Sequence, residues 1–476
     1  MYEIKEHLEN RNESKYINTN SCKVNGLLYI GGVSTLELAE KYGTPLYVYD
    51  EQTIRNRYRK LVSTFSKYYP KFKCFYAVKA NNNLAVLKIL KEEGAGLDCS
   101  CPAEIYLAEK AGFSKDKVLY SGVYHTNAEL EFGVRAGVTM NLEDVSQIDR
   151  LVAICKKLNN WPEVLSFRIN PGMGKGNVAG NVFGGKDAKF GVIEDQAVQA
   201  FKKAQESGFK RFGIHMMTGS CVLDSNYFEA VTSKLLDICG KIRKELGIKF
   251  EFVDIGGGFG VPYRPGEKDL DLDYAAQKVA KVFADKVAKY DLGDPELKIE
   301  PGRYITSESG ILLTRVHSIK NGYKRFIGVD AGMNTLLRPA LYNAYHEIYV
   351  ANKLNEHLLT NEASKKPTFL MSDKEKQKLG WEKVNICGQI CENTDQFAKD
   401  KFLPHIEEGD LLVLLNAGSY GFAMGSQYNN RPMCAEVLVN QGITKSTHEL
   451  IRRRQGFEDL SKDMVVPRRL KGGWLF

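Results

Sequence analysis

The chain has 476 residues, of which 43% are hydrophobic and 26% charged, and carries a formal net charge of +8. That composition suits a globular chain with a large core, and the absence of any run of about 18 apolar residues excludes a membrane-spanning helix. The basic residues are spread along the chain apart from short clusters at 452–454 and 468–471, so the dense basic stripe of a nucleic-acid-binding surface is missing.

Residues 1–20 are polar, rich in Asn, Glu and Lys, and read as a loosely ordered arm. Their charge and lack of an apolar stretch give no sign of a signal peptide. The 10 cysteines show no paired CxxC zinc spacing, so no metal site is expected, and unpaired thiols fit a cytoplasmic protein. A short strand at 27–30 precedes a helix at 34–42, with Ser34 at the N-cap and Glu37 three residues on, the spacing of a capping box.

From Pro45 onward short apolar runs alternate with amphipathic stretches. The runs are 46–49 before a helix to about 68, 73–78 before 84–93, 118–120 before 128–136, 165–169, 212–215 before 227–246, 252–255 before 274–289, and 297–300. This rhythm predicts parallel βαβ units, about eight of them, and hence a (β/α)8 barrel. After Arg303 the pattern changes to strands at 311–319, 323–329, 346–350, 383–387, 411–415 and 435–439 without regular helices, which predicts antiparallel β structure. Residues 353–380 are polar and Lys-rich and read as an inserted surface segment. The expected division is an arm and strand at 1–44 joining the second domain, a barrel at 45–310, and a β domain at 311–476.

Three segments carry chemistry. Cys74-Phe75-Tyr76-Ala77-Val78-Lys79-Ala80-Asn81 places a lysine at the C-terminal end of a predicted barrel strand, where barrel enzymes hold catalytic groups. A charged lysine is costly to bury there, and forming a Schiff base removes that cost. Phe252-Val253-Asp254-Ile255-Gly256-Gly257-Gly258 is a strand followed by glycines that allow backbone N–H groups close to a phosphate; the spacing is not that of a dinucleotide fingerprint. Glu300-Pro301-Gly302-Arg303 offers a carboxylate and an arginine fork at another strand end. Each also has a plain structural reading, namely a solvent-facing lysine, a flexible turn and a surface ion pair.

Together with Gly388-Gln389-Ile390-Cys391-Glu392-Asn393-Thr394-Asp395 and Ala417-Gly418-Ser419-Tyr420-Gly421, these segments occur in the order seen in the fold-type III pyridoxal-phosphate (PLP) decarboxylases. The chain resembles that family over roughly residues 25 to 458, with its nearest likeness among diaminopimelate decarboxylases. The resemblance implies an α/β protein of the alanine racemase/ornithine decarboxylase-like type: a (β/α)8 PLP-binding barrel followed by a mainly antiparallel β domain, forming a homodimer with shared active sites. Lys79 would hold the cofactor as a Schiff base. Gly256, Gly257, Gly258, the Gly302–Arg303 backbone, Ser220 and Tyr420 would hold its phosphate, and Glu300 would face the pyridine nitrogen. Cys391 and Glu392 would come from the other subunit, Cys391 as the proton donor after CO2 leaves and Glu392 against substrate. Leu337-Arg338-Pro339-Ala340-Leu341-Tyr342-Asn343-Ala344-Tyr345-His346 resembles the segment whose Arg and Tyr bind the substrate's distal carboxylate, giving Arg338 and Tyr342 that role, with Arg303 and Tyr420 also lining the substrate's place.

The sequence departs from the family at His215-Met216-Met217-Thr218-Gly219-Ser220, where a second histidine would stack on the cofactor ring. Met217 takes that position, and His215 lies two residues away on the same strand face; a thioether can pack on an aromatic ring. An arginine fork fits a carboxylate and repels an ammonium, so Arg338 favours a substrate with two carboxylates. The resemblance therefore implies decarboxylation of meso-diaminopimelate to L-lysine, with a D-lysine or D-ornithine decarboxylase as the alternative. A cofactor carrier on a bare barrel disagrees with the long C-terminal half, and a racemase with the Cys391-Glu392 pair.

Overall fold

The computed structural model describes residues 21–24, 27–176, 182–354, 368–442 and 445–470. The arm expected at 1–20 lies outside the described residues, as do 355–367 of the inserted segment and 471–476 of the tail.

Among the described residues eight parallel strands close a barrel: Phe72–Ala77, Gly96–Cys99, Val118–Tyr120, Thr139–Leu142, Leu165–Asn170, Phe212–His215, Phe250–Asp254 and Glu296–Ile299. The ring shuts where Leu297 pairs with Phe72 and Met140 with Leu165. Rings fill its floor. Phe75, Leu119 and Phe252 form a buried cluster, and the Lys298 ammonium lies 4.6 Å and 3.8 Å from the Phe75 and Phe252 ring centroids. Two glycines make this possible, since a Cβ on Gly96 would fall 2.6 Å from the Phe75 ring and one on Gly213 2.2 Å from that of Phe252.

The barrel begins at Phe72, not at the 46–49 run. Leu46–Asp50 pairs antiparallel with Gly310–Asn321 and parallel with Ala435–Gln441, so it belongs to the second sheet. All five of its residues are buried, and a strand covered on both faces has the same continuous apolar look as a barrel strand. In its place the barrel uses Gly96–Cys99 and Thr139–Leu142, four-residue strands whose polar Asp98 and Asn141 hide them from an apolar-run search. The helix Thr35–Tyr42 forms with Ser34 at its N-cap, but the Ser34 side chain makes no capping bond; Glu37 instead lies 3.2 Å from His448 Nε2.

The second sheet runs Gln396–Leu403, Glu382–Cys387, Arg325–Val329, Gly310–Asn321, Leu46–Asp50, Ala435–Gln441 and Ser446–Arg452, with Leu411–Leu414 paired to Gly310–Asn321 and Ile348–Val350 paired to Leu411–Leu414. Most pairs are antiparallel; the exceptions are Arg325–Val329 with Glu382–Cys387 and the Leu46–Asp50 pair already named. Within the segment expected as an insertion, Asp373–Lys378 forms a short helix under a Ser372–Glu375 capping box.

The two halves meet at the barrel mouth. A Cβ on Gly418 would sit 1.9 Å from the Thr306 carbonyl oxygen, so only glycine allows this backbone approach. Tyr420 N–H donates to the Ala80 carbonyl at 2.8 Å and the Asn81 amide to the Gly418 carbonyl at 3.1 Å. These bonds tie the loop carrying Tyr420 to the turn carrying Lys79. No helix among the described residues is long and apolar enough to cross a membrane.

Candidate active site

The C-terminal ends of the barrel strands surround a cavity of about 290 Å³. Lys79 enters it from the turn Val78–Ala80 that ends the first barrel strand, and its side chain keeps 42% relative exposure toward it. Nζ donates to the Asp98 carboxylate, which is fully buried at the end of the next strand. Burial opposes charge on the amine, but Asp98, Glu300 and Tyr420 outweigh it and hold its pKa above the ordinary lysine value. Asp98 is itself pushed upward by burial and by Glu300. The two groups thus compete for one proton, and the amine, the stronger base, keeps it.

Glu300 follows the last barrel strand and is buried. Its Oε2 lies 3.1 Å from His215 Nε2, while the Asn141 amide donates to His215 Nδ1 at 2.9 Å. With Nδ1 accepting, Nε2 carries the proton and donates to Glu300. Burial raises the carboxyl, yet His215, Lys79 and Arg168 bring its pKa below the ordinary value, so it is ionised. Its Oε1 is buried with no hydrogen-bond partner. His215, Asp254 and Glu300 offer one atom each within 4.8 Å of one another.

The second group in the cavity is cationic. Arg303 and Arg338 are each 7% exposed, and among the described residues neither forms an ion pair. Arg303 Nη1 donates to the Tyr263 hydroxyl at 2.7 Å, and its guanidinium lies 4.8 Å from the Tyr420 ring centroid. Ser220 Oγ is 3.5 Å from Arg303 Nη2. Arg338 opens the helix Arg338–Tyr342 and lies 4.6 Å over the Tyr263 ring; Tyr342 lines the same cavity.

Of the residues expected from sequence, Lys79, His215, Met217, Ser220, Gly258, Glu300, Gly302, Arg303, Arg338, Tyr342 and Tyr420 all line this cavity. Gly256 and Gly257 do not; they serve close backbone packing, since a Cβ on either would fall 2.3 Å from a carbonyl oxygen, that of Met216 or that of Glu300. Met217 Sδ accepts the Gly257 N–H at 3.1 Å, pinning the thioether to the glycine turn. Cys391 and Glu392 also lie outside the lining, both exposed on a β-domain loop. Asp98, Arg168 and Tyr263 escaped the sequence reading. Asp98 and Arg168 sit toward the ends of barrel strands, the one signal that marks them, whereas Tyr263 lies on an irregular segment after the glycines.

A family profile described as "Pyridoxal-dependent decarboxylase, pyridoxal binding domain" matches residues 52–307. The chain is 45% identical over 448 residues to a diaminopimelate decarboxylase of Methanothermobacter thermautotrophicus, covering 94% of this chain and 97% of that one. It belongs to the pyridoxal-dependent decarboxylases. A diaminopimelate decarboxylase of Archaeoglobus fulgidus is 36% identical, over 93% of this chain and 98% of its own. A solved structure of the Methanocaldococcus jannaschii diaminopimelate decarboxylase in co-complex with L-lysine superposes with a TM-score of 0.80 at 32% identity, covering 96% and 100% of the two chains.

The cavity of this PLP-dependent decarboxylase fits the family's cofactor on its own chemistry. An ionised, buried carboxylate with an orphaned Oε1 calls for a buried N–H donor, which a protonated pyridine nitrogen provides. A lysine faces it from the neighbouring strand end, and Gly302, packed so close that a Cβ would fall 2.7 Å from the Ala80 Cβ, lines the same cavity. Asp98→Asn is expected to move cofactor loading toward lower pH. Lys79 must lose its proton to bond a carbonyl, and removing the nearest negative charge lets it do so earlier, by about one to two pH units. The pH profile of apoenzyme reconstitution measures this, and an unmoved profile would show that Asp98 does not govern the amine.

Proposed function

We propose that this enzyme removes the carboxylate at the D-configured centre of meso-diaminopimelate, giving L-lysine and CO2, and serves lysine biosynthesis. The observation that carries the substrate is Arg338, a buried guanidinium in the cavity with no carboxylate partner among the described residues. A buried cation without a counter-charge is costly, and a substrate's distal carboxylate removes that cost when it docks. The relatives that bear the name diaminopimelate decarboxylase over nearly the whole chain support the same reading.

Bound PLP supplies an electron sink for the pair left when the carboxylate departs. Lys79 Nζ would hold the cofactor covalently. Glu300 would accept the cofactor's ring N–H at its unpartnered Oε1, and His215, donating to Oε2, keeps that carboxylate ionised and oriented. Ser220, Gly258, the backbone at Gly302 and Arg303, and Tyr420 would hold the phosphate, while Gly256 and Gly257 shape the turn behind it. Met217, which lines the cavity, would cover a ring face as an uncharged, polarisable group. Arg338 and Tyr342, with Arg303 and Tyr420 beside them, hold the distal carboxylate.

Cys391 returns a proton from Sγ to the carbon that lost its carboxylate, and Glu392 orients the substrate. Both are exposed and stand outside the cavity of their own chain, which supports their delivery by a second copy. We therefore take the working unit to be a homodimer. Unpaired cysteines in the barrel and β domain fit the cytoplasm.

Product analysis of the PLP-loaded enzyme tests the substrate, with meso-diaminopimelate, D-lysine and D-ornithine in separate reactions. Lysine from diaminopimelate alone is expected. Cadaverine or putrescine from the D-amino acids, with diaminopimelate untouched, would replace the proposal with a diamine-forming decarboxylase.

A further inference from the structure

The side chain that holds Arg338 has no role in the chemistry above. Among the described residues His346 is the only side-chain hydrogen-bond partner of Arg338, with Nε2 2.8 Å from Nη1. Its other nitrogen, Nδ1, lies 2.8 Å from the Leu415 carbonyl oxygen. A guanidinium only donates and a carbonyl only accepts, so the two contacts together dictate one state of the ring: proton on Nδ1, lone pair on Nε2, no net charge. The ring is 2% exposed and meets Tyr263 edge-on, with centroids 5.5 Å apart and planes at 86°.

The backbone anchors it as well. His346 leads into the strand Ile348–Val350, which pairs with Leu411–Leu414, and Leu415 N–H donates to the Glu347 carbonyl at 2.9 Å. The imidazole is therefore bolted to the β domain through the same residue that its Nδ1 addresses. Arg338 in turn lies over the Tyr263 ring, its guanidinium 4.6 Å from the centroid.

We infer that His346 is a positioning residue for substrate recognition, fixing the Arg338 guanidinium through an uncharged acceptor so that its full positive charge stays available to the substrate's distal carboxylate. This rests on the reading that the substrate carries two carboxylates. An aspartate or glutamate in the same place would hold the guanidinium equally well, but as an ion pair, and would cancel one of the subsite's positive charges. An apolar residue would leave the charge free but the rotamer loose. Histidine at this spot supplies geometry without cancellation. Burial and the neighbouring Arg338 charge push its pKa down to about 3, so the ring stays neutral wherever the enzyme works.

Steady-state kinetics on meso-diaminopimelate separate these roles, with PLP-loaded wild type, His346→Gln and His346→Glu compared. The two variants differ by one charge at nearly equal shape. His346→Gln, which keeps a neutral acceptor, is expected to hold KM within about threefold of wild type. His346→Glu is expected to raise KM roughly 10- to 100-fold while kcat stays within about threefold, because a charge-assisted bond to substrate is lost before the chemistry starts. Equal KM values for the two variants, or a loss confined to kcat, would overturn the inference.

The wild-type holoenzyme gives a readout that survives a misfolded Glu variant. Nitrogen-15 NMR, with the His346 signals assigned by their absence from His346→Gln, is expected to show a neutral Nδ1–H ring between about pH 6 and 8. An Nε2–H or imidazolium signal there would also overturn it. Wild type that leaves diaminopimelate untouched would sink the substrate reading instead, so the two failures are distinct.

Discussion

Lys79→Ala is expected to abolish the visible absorbance of the PLP-loaded protein and to lower turnover on the order of 10⁴-fold or more, because the cofactor loses its covalent anchor and its placement. The fold should persist. Lys79 is 42% exposed into the cavity, and water entering that cavity can take the place of its ammonium beside Asp98. Far-UV circular dichroism and thermal melting should therefore match wild type while absorbance and activity vanish. Retained visible absorbance would remove Lys79 from the cofactor's attachment. The same variant also tests the shared site. Mixed after partial unfolding with Cys391→Ala, it should recover activity in about a quarter of the sites, since a two-fold hybrid dimer pairs one intact Lys79 with one intact Cys391. A mixture no more active than its components would mean that Cys391 serves its own chain.

Lys79, Glu300 and Arg303 were legible in the sequence because strand-end chemistry leaves a local mark: an apolar run broken by one charged residue, followed by a turn. Asp98 has the same kind of position but not the same mark. Its strand, Gly96–Cys99, is four residues long, too short for periodicity to stand out, and its function arises only where Lys79 reaches it from the neighbouring strand. The misplaced run at Leu46–Asp50 shows the opposite failure. Its apolar pattern reports burial on both faces, and burial on both faces does not say which sheet does the burying. Tyr263 was invisible for a third reason. It stands on an irregular segment, and its place between Arg303 and Arg338 is set by three separate pieces of chain meeting at the mouth of the barrel. Ser446–Arg452 escaped because it lies at the end of the second sheet's path, with a polar, largely exposed sequence that lacks an apolar run.

Arg338→Met is expected to lower kcat/KM for meso-diaminopimelate roughly 30- to 1000-fold, the range for truncating one partner of a buried, hydrogen-bonded charge pair, with most of the loss in KM. Methionine keeps an unbranched apolar stem and removes the charge, the donors and the guanidinium's contact with the Tyr263 ring. Stability should move little. In the ligand-free protein the Arg338 guanidinium is buried without a carboxylate, and burial together with Arg303 draws its pKa below the ordinary arginine value although Tyr263 opposes them. Removing that charge stabilises the fold, whereas leaving His346 Nε2 without its donor costs about 1–3 kcal/mol. These terms oppose each other, so the melting temperature should stay close to that of wild type while catalytic efficiency collapses. That pairing discriminates a recognition residue from a structural one. A buried arginine kept for the fold would lower the melting temperature when lost and leave KM alone. One kept for a ligand holds an unfavourable charge in readiness, and its removal costs the protein only when substrate arrives.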